Sequence, residues 1–234
     1  SFPRATPMKQ AAAPPSDDGE EGNGSYGSPF RSLARAVEAI NANDGLTLHV
    51  AGDLPVRSDL TITSSCVLDG SRAVLRFFPG AGLSIVRANV ACRGCSILRE
   101  ADGEQSGARP GGAECPVLIS VSDGSLSFDS CDLSARFARE GKLVELRSAS
   151  LAAVASSFSA YAASYASLFT ASDSNVSLAS SACAASSYTA LIFCMVASDL
   201  RLQESVASVS CYTGRIADLS GGSCLLRKNV LTGS

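Results

Sequence analysis

The side chains that could do chemistry in this chain are nine cysteines, one histidine and a thin scatter of carboxylates. The cysteines stand at 66, 92, 95, 115, 131, 183, 194, 211 and 224. That spacing is neither the cluster of a disulfide framework nor the doubled CxxC of a zinc module. Cys92-Arg-Gly-Cys95 is a single CxxC without a second pair. A metal or redox centre would need further ligands, or a helix N-terminus to lower the thiol pKa. Most of the cysteines therefore read as small core hydrophobes with free thiols. Neither a metal site nor a cofactor is expected. His49 is the only histidine and sits on an alternating strand, facing solvent. In that place it supports no Ser/His/Asp arrangement. Gly80-Ala-Gly82, Gly111-Gly112 and Gly221-Gly222 read as turns and not as a phosphate cradle. The sequons at Asn23 and Asn175 are assigned no role.

The elements that must position these groups follow from a repeat. The apolar pairs Leu126/Phe128, Leu151/Ala153, Val176/Leu178, Leu200/Leu202 and Cys224/Leu226 recur at steps of 25, 25, 24 and 24 residues. Five residues after each first member stands Cys131, Ser156, Ser181, Ser205 or Asn229. Seven after it stands Leu133, Phe158, Cys183, Ala207 or Leu231. Eight or nine before it stands Leu118, Leu143, Leu168, Leu191 or Ile216. Val90, Cys92, Cys95 and Ile97, preceded by Leu83, extend the template backwards, and Leu60, Ile62, Ser65 and Val67 form a looser copy. The step from Val90 to Leu126 is longer by about 11 residues, which the Gly/Pro/charge-rich segment 101–114 supplies as a loop insertion.

Each repeat holds short alternating segments, too short for a 3.6-residue period, so strands are expected. Phe158, Tyr161, Tyr165 and Leu168 give even the Ala/Ser-rich stretch 148–187 enough bulk to pack. The fold class that results is all-β: a right-handed parallel β-helix, or solenoid, of about seven three-stranded coils. Equal positions stack about 4.8 Å apart, and inward columns of Leu, Val, Ile, Phe and Cys form one dry core. Ahead of the coils, residues 1–24 carry no apolar period and read as a flexible leader before a β-helix domain spanning 25–234. A capping helix is expected over about 29–42, with Ser28 as N-cap, Pro29 at its first position, and Phe30, Leu33, Ala34, Val37 and Ile40 on one face.

The segment 22–54, GNGSYGSPFRSLARAVEAINANDGLTLHVAGDL, resembles the opening of bacterial pectate-lyase-like proteins. Ser28, Pro29, Phe30, Ser32, Leu33 and Ala36 match that family's "SPFxSLxxA" helix. The resemblance implies a helix capping the N-terminal end of a coil stack. It also raises enzymes, since the family includes polysaccharide lyases and glycoside hydrolases. A calcium-dependent lyase needs several converging carboxylates and an Arg or Lys base. A hydrolase needs two or three carboxyl groups across one groove. The outward acids here are Asp129, Asp132, Glu145, Asp173, Asp199, Glu204 and Asp218, and they do not stack; the places equivalent to Asp129 hold Val154 and Ala179. The family's Asn-Thr-Asp, Asp-Asp, Gly-His-Gly and Arg-Ile-Lys signatures are absent. No catalytic residue is assigned.

Composition narrows the partners. With 46% hydrophobic residues and a net charge of −3, neither disorder nor a nucleic-acid footprint is indicated. No run of about 18 apolar residues predicts a transmembrane segment, and no signal peptide is visible. From Ser148 to Ser198 the only charged residue is Asp173, so the outer face of at least two coils is Ser/Ala-rich and smooth. It is the expected face for a glycan or protein ligand. The expected function is a non-catalytic scaffold, secreted or on a bacterial envelope or surface, adhesin-like or binding. The alternative is a carbohydrate-active enzyme with its groove near 101–114. The C-terminal repeats run to Ser234 without a cap, which predicts a longer parent chain or self-association through that end.

Overall fold

A computed structural model describes residues 9–12, 25, 29–30, 32–101 and 115–233. Short alternating segments become strands because one parity of each is apolar and the other is polar or small. In Ser125–Asp129 the inward residues are Leu126 and Phe128. In Asp132–Phe137 they are Leu133, Ala135 and Phe137, and in Glu140–Arg147 they include Leu143, Val144 and Leu146. The next coil repeats the three strands as Ser150–Val154, Ser157–Ala162 and Tyr165–Ser172. Further on, the second and third strands merge into Ala182–Val196 and Val206–Ser220.

All pairings run parallel and coil to coil: Leu126 meets Leu151, which meets Val176, then Leu200, then Cys224. The chain is thus an all-β parallel solenoid of about seven turns with one helix at its N-terminal side. The core is one continuous column, and its aromatic spine runs Phe128, Phe158, Phe169, Phe193. Successive ring centroids lie 5.7, 5.0 and 5.4 Å apart; the first two contacts are edge-on and the last is stacked.

Corners are turned by single residues in the left-handed region. Ser130, Ala155, Ser180, Glu204 and Lys228 form one such column, with φ between 48 and 55°. Each of the first four donates its N–H to the coil above, as Ala155 does to the Ala179 carbonyl at 3.1 Å. The residue just after each of the first four corners is a buried hydroxyl or thiol, and after Lys228 it is the half-buried amide of Asn229. Ser156 Oγ accepts the Cys131 N–H at 3.1 Å and donates to the Val154 carbonyl at 2.8 Å. Ser181, Ser205 and Asn229 continue this ladder. A second ladder runs through Ser174 and Ser198. These bonds satisfy corner N–H groups that no strand pairing reaches.

Several expectations need correction. The helix is Leu33–Ala42, not 29–42, and its N-cap is Ser32, whose Oγ accepts the Arg35 N–H at 3.3 Å. A hydroxyl three residues before an unpaired N–H sets the start, and Ser32 has the extended backbone that a cap requires. The cap function itself is present: Leu33, Ala36, Val37 and Ile40 are buried against the first coil. Within the leader, Lys9–Ala12 is not free but pairs in parallel with Leu46–Val50; the rest of 1–24 lies outside the described residues. So does 102–114, nearly all of the expected insertion. Leu60 and Ile62 stack on Leu83 and Ile85, so they do not belong to the Leu126 column; Cys66 and Leu68 occupy it. Alternation alone does not say to which of three faces a strand belongs. Leu191 pairs with Ser167, and the buried member of the Leu168 column is Ile192. Three successive apolar residues, Leu191, Ile192 and Phe193, make either choice fit an apolar pattern, although only the last two are buried.

Candidate functional site

The outward parity of the second strands builds a groove across five coils. Ser134, Ser159, Ala184, Ser208 and Thr232 line it as one column, and Arg136, Tyr161, Ser186 and Ser210 as the next. Its floor is the small inward column Ala135, Ala160, Ala185 and Val209, so nothing bulky fills it. The volume is about 390 Å3. An adjoining depression of about 380 Å3 shares Tyr161, Ser186 and Ser210 and is walled by Tyr188. The expected Ser/Ala-rich face therefore exists, and in this place it is concave.

Three exposed tyrosines mark this face: Tyr161 lines both depressions, Tyr188 lines the second, and Tyr212 stacks on Tyr188 without lining either. Tyr161, Tyr188 and Tyr212 are 55, 58 and 79% exposed, and the rings of Tyr188 and Tyr212 stack at 5.1 Å. Thr189 and Thr213 hydroxyls meet at 3.1 Å beside them. Sequence reading counted Tyr161 as packing bulk, but it points outward. The signal was its parity, because Phe158, Ala160 and Ala162 are inward. Arg136 is the only charged residue that lines the groove among the described residues. Ser159 Oγ donates to Ser134 Oγ at 3.0 Å, whereas the Ser186 and Ser210 hydroxyls bond to nothing among the described residues.

A second groove, about 400 Å3, includes Cys115, the first described residue after the 101–114 segment, and is lined by Asp59, Ser84, Ser120, Glu145 and Arg147 among others. Of its two acids, Asp59 and Glu145, the second is already engaged: Glu145 takes Lys142 Nζ at 2.8 Å and Arg147 Nη2 at 3.1 Å. Burial alone would lower the Lys142 pKa, but the bond and charge of Glu145 outweigh it and lift the amine above its ordinary value. An amine so held keeps its proton and makes a poor base. The other outward acids lie apart from this groove: Asp129 and Asp132 in the preceding strands, Asp173 at a corner, Asp199 bonded to Ser223, Glu204 beside Lys228, and Asp218 beside Arg215. His49 is half-buried and 3.4 Å from Asp69.

The cysteines are all free and mostly inward. Burial pushes the Cys66 and Cys183 thiols up to about 12 from 9.0. Cys95 is raised by its hydrogen bond to Cys131 and by burial. Among the described residues no cluster of three metal-ligating side chains occurs, and no helix is long and apolar enough to cross a membrane. An alkylating or disulfide thiol reagent at pH 8 is expected to label the exposed Cys224 first. Cys66, Cys92 and Cys183 should react only on unfolding, read by peptide mass spectrometry. Early labelling of Cys183 would refute the inward register. For Cys66 and Cys183 the raised values also fix a pH dependence: their protonated thiols are favoured in the folded state, so their contribution to stability is undiminished below pH 9 and is lost as pH rises towards 12.

No family model matches the chain and no curated protein is similar to it, so the resemblance to pectate-lyase-like proteins stands on residues 22–54 alone.

Proposed function

We propose that the protein is a non-catalytic β-solenoid binding module, secreted or displayed on a bacterial surface in the manner of an adhesin, which holds a glycan in the groove beside Tyr161. The observation that carries this reading is the open trough of hydroxyl and small side chains beside the exposed Tyr161, with the exposed Tyr188–Tyr212 pair at the adjoining depression. Exposed aromatic rings with a polar tip are the usual contact for ligands that are apolar on one face and wet on the other. The opening that resembles pectate-lyase-like proteins supports the bacterial and extracellular part.

The carbohydrate-active alternative would use the second groove, and the two acids that line it, Asp59 and Glu145, are the observation in its favour. The ion pairs of Glu145 to Lys142 and Arg147 count against it, because that carboxylate is already neutralised. Incubation with acidic and neutral oligosaccharides separates the two readings. Retention of intact oligosaccharide is the expected result. Shortened or unsaturated products, lost in Glu145→Gln, would replace the binding module by an enzyme.

A further inference from the structure

We infer that the ligand of the Tyr161 groove is an uncharged linear glycan lying along the coil stack, with a sugar ring seated on the stacked Tyr188–Tyr212 pair. This rests on the glycan-binding reading above and narrows it to a class of ligand and a place of contact. The first argument is charge. An acidic polysaccharide carries an anion on every unit or every second unit, and each buried against protein needs a partner. The groove offers one cation, Arg136, in the coil farthest from Thr232, and four further coils without a charge.

The second argument is surface chemistry. A pyranose presents C–H groups on its faces and hydroxyls at its rim. The groove presents the Tyr161 ring, with Tyr188 at the adjoining depression, and the Ser134, Ser159, Ser186, Ser208, Ser210 and Thr232 hydroxyls along its length. Small floor residues let a ring approach the backbone closely, and the free Ser186 and Ser210 hydroxyls can both donate and accept.

The third argument is period. Successive coils repeat these hydroxyls about every 4.8 Å, over about 19 Å for the five coils, which is close to the rise of successive rings in an extended polysaccharide. A peptide is the poorer occupant. Peptides that add to sheets use main-chain hydrogen bonds at a free edge, and here the strands under the groove are paired on both sides from Ser157–Ala162 to the Val206–Ser210 stretch.

The chain has no tryptophan and five tyrosines, three of them at this site, so tyrosine fluorescence reports directly on it. Cellohexaose, xylohexaose, mannohexaose and chitohexaose are titrated against hexagalacturonate and a heparin hexasaccharide, at low and high salt. The expected result is binding to at least one neutral hexasaccharide with a fluorescence change, unaltered by salt. Tyr188→Ala or Tyr212→Ala should weaken it by about tenfold. Both residues are exposed, so unchanged thermal unfolding serves as the folding control. Salt-sensitive binding of the acidic probes alone would overturn the uncharged ligand and leave the binding module standing. Neutral binding untouched by both tyrosine variants would overturn the seat on the pair. No binding of any probe would overturn both readings.

Discussion

Phe158→Ala is expected to lower the free energy of unfolding by about 3–5 kcal/mol, measured by denaturant or thermal melting. Phe158 is fully buried and is the second of the four rings of the spine, edge-on to both Phe128 and Phe169. Removing it deletes two aromatic contacts and leaves a void that Leu133 and Cys183, its stacked neighbours above and below, are too fixed to close. Three residues on, Tyr161→Ala should stay within about 0.5 kcal/mol, because that ring meets solvent. Leu178→Ala and Ser177→Ala form the same contrast in the next coil, with the leucine costing about 2–5 kcal/mol. Equal losses at Phe158 and Tyr161 would refute the register on which the groove depends.

The second large effect is polar. Ser156→Ala should cost about 1–3 kcal/mol, since it strands the Cys131 N–H in a dry interior and removes one of the two hydrogen bonds that the Val154 carbonyl accepts, leaving that from the Ser130 N–H. Ser156→Cys should recover part of the loss, because a thiol already fills the equivalent place at Cys131, where its sulfur lies 3.4 Å from the Asp129 carbonyl. Hydrogen exchange should show the same thing locally, with faster exchange at Cys131 in Ser156→Ala than in Ser156→Cys. An alanine variant as stable as the parent would mean that the ladder is decoration, with water or strand pairing serving those groups instead.

Sequence made the architecture readable because the constraint repeats. Leu126, Leu151, Val176 and Leu200 must all be apolar to cover one another, and a column of like residues at fixed step is hard to mistake. The Ser156, Ser181, Ser205 column was visible for the same reason, although its meaning as a corner ladder needed the hydrogen bonds. Where the coils are irregular, the reading slipped. Leu60 and Ile62 alternate as well as Cys66 and Leu68 do, and only the strand pairing says which of them stacks on Val90. The groove was half legible. Loss of charge from 148 to 198 marked the face, but concavity depends on how far one strand bends from the next. Tyr188 and Tyr212 come together only because Thr189 and Thr213 are in register beside them.

The coil-to-coil pairing has a mechanical consequence. Every strand bond joins one turn to the next, so these bonds point along the stack and each turn is held only by its two neighbours. A pull applied to the two ends then loads the outermost turn first and leaves the interior slack, and the rod pays out like a coiled rope. Val176 and Leu200 mark one turn of 24 residues, and each turn released lengthens the chain by about 80 Å. A molecule that stays bound in its central turns while its ends give way would be a tether with built-in reserve length.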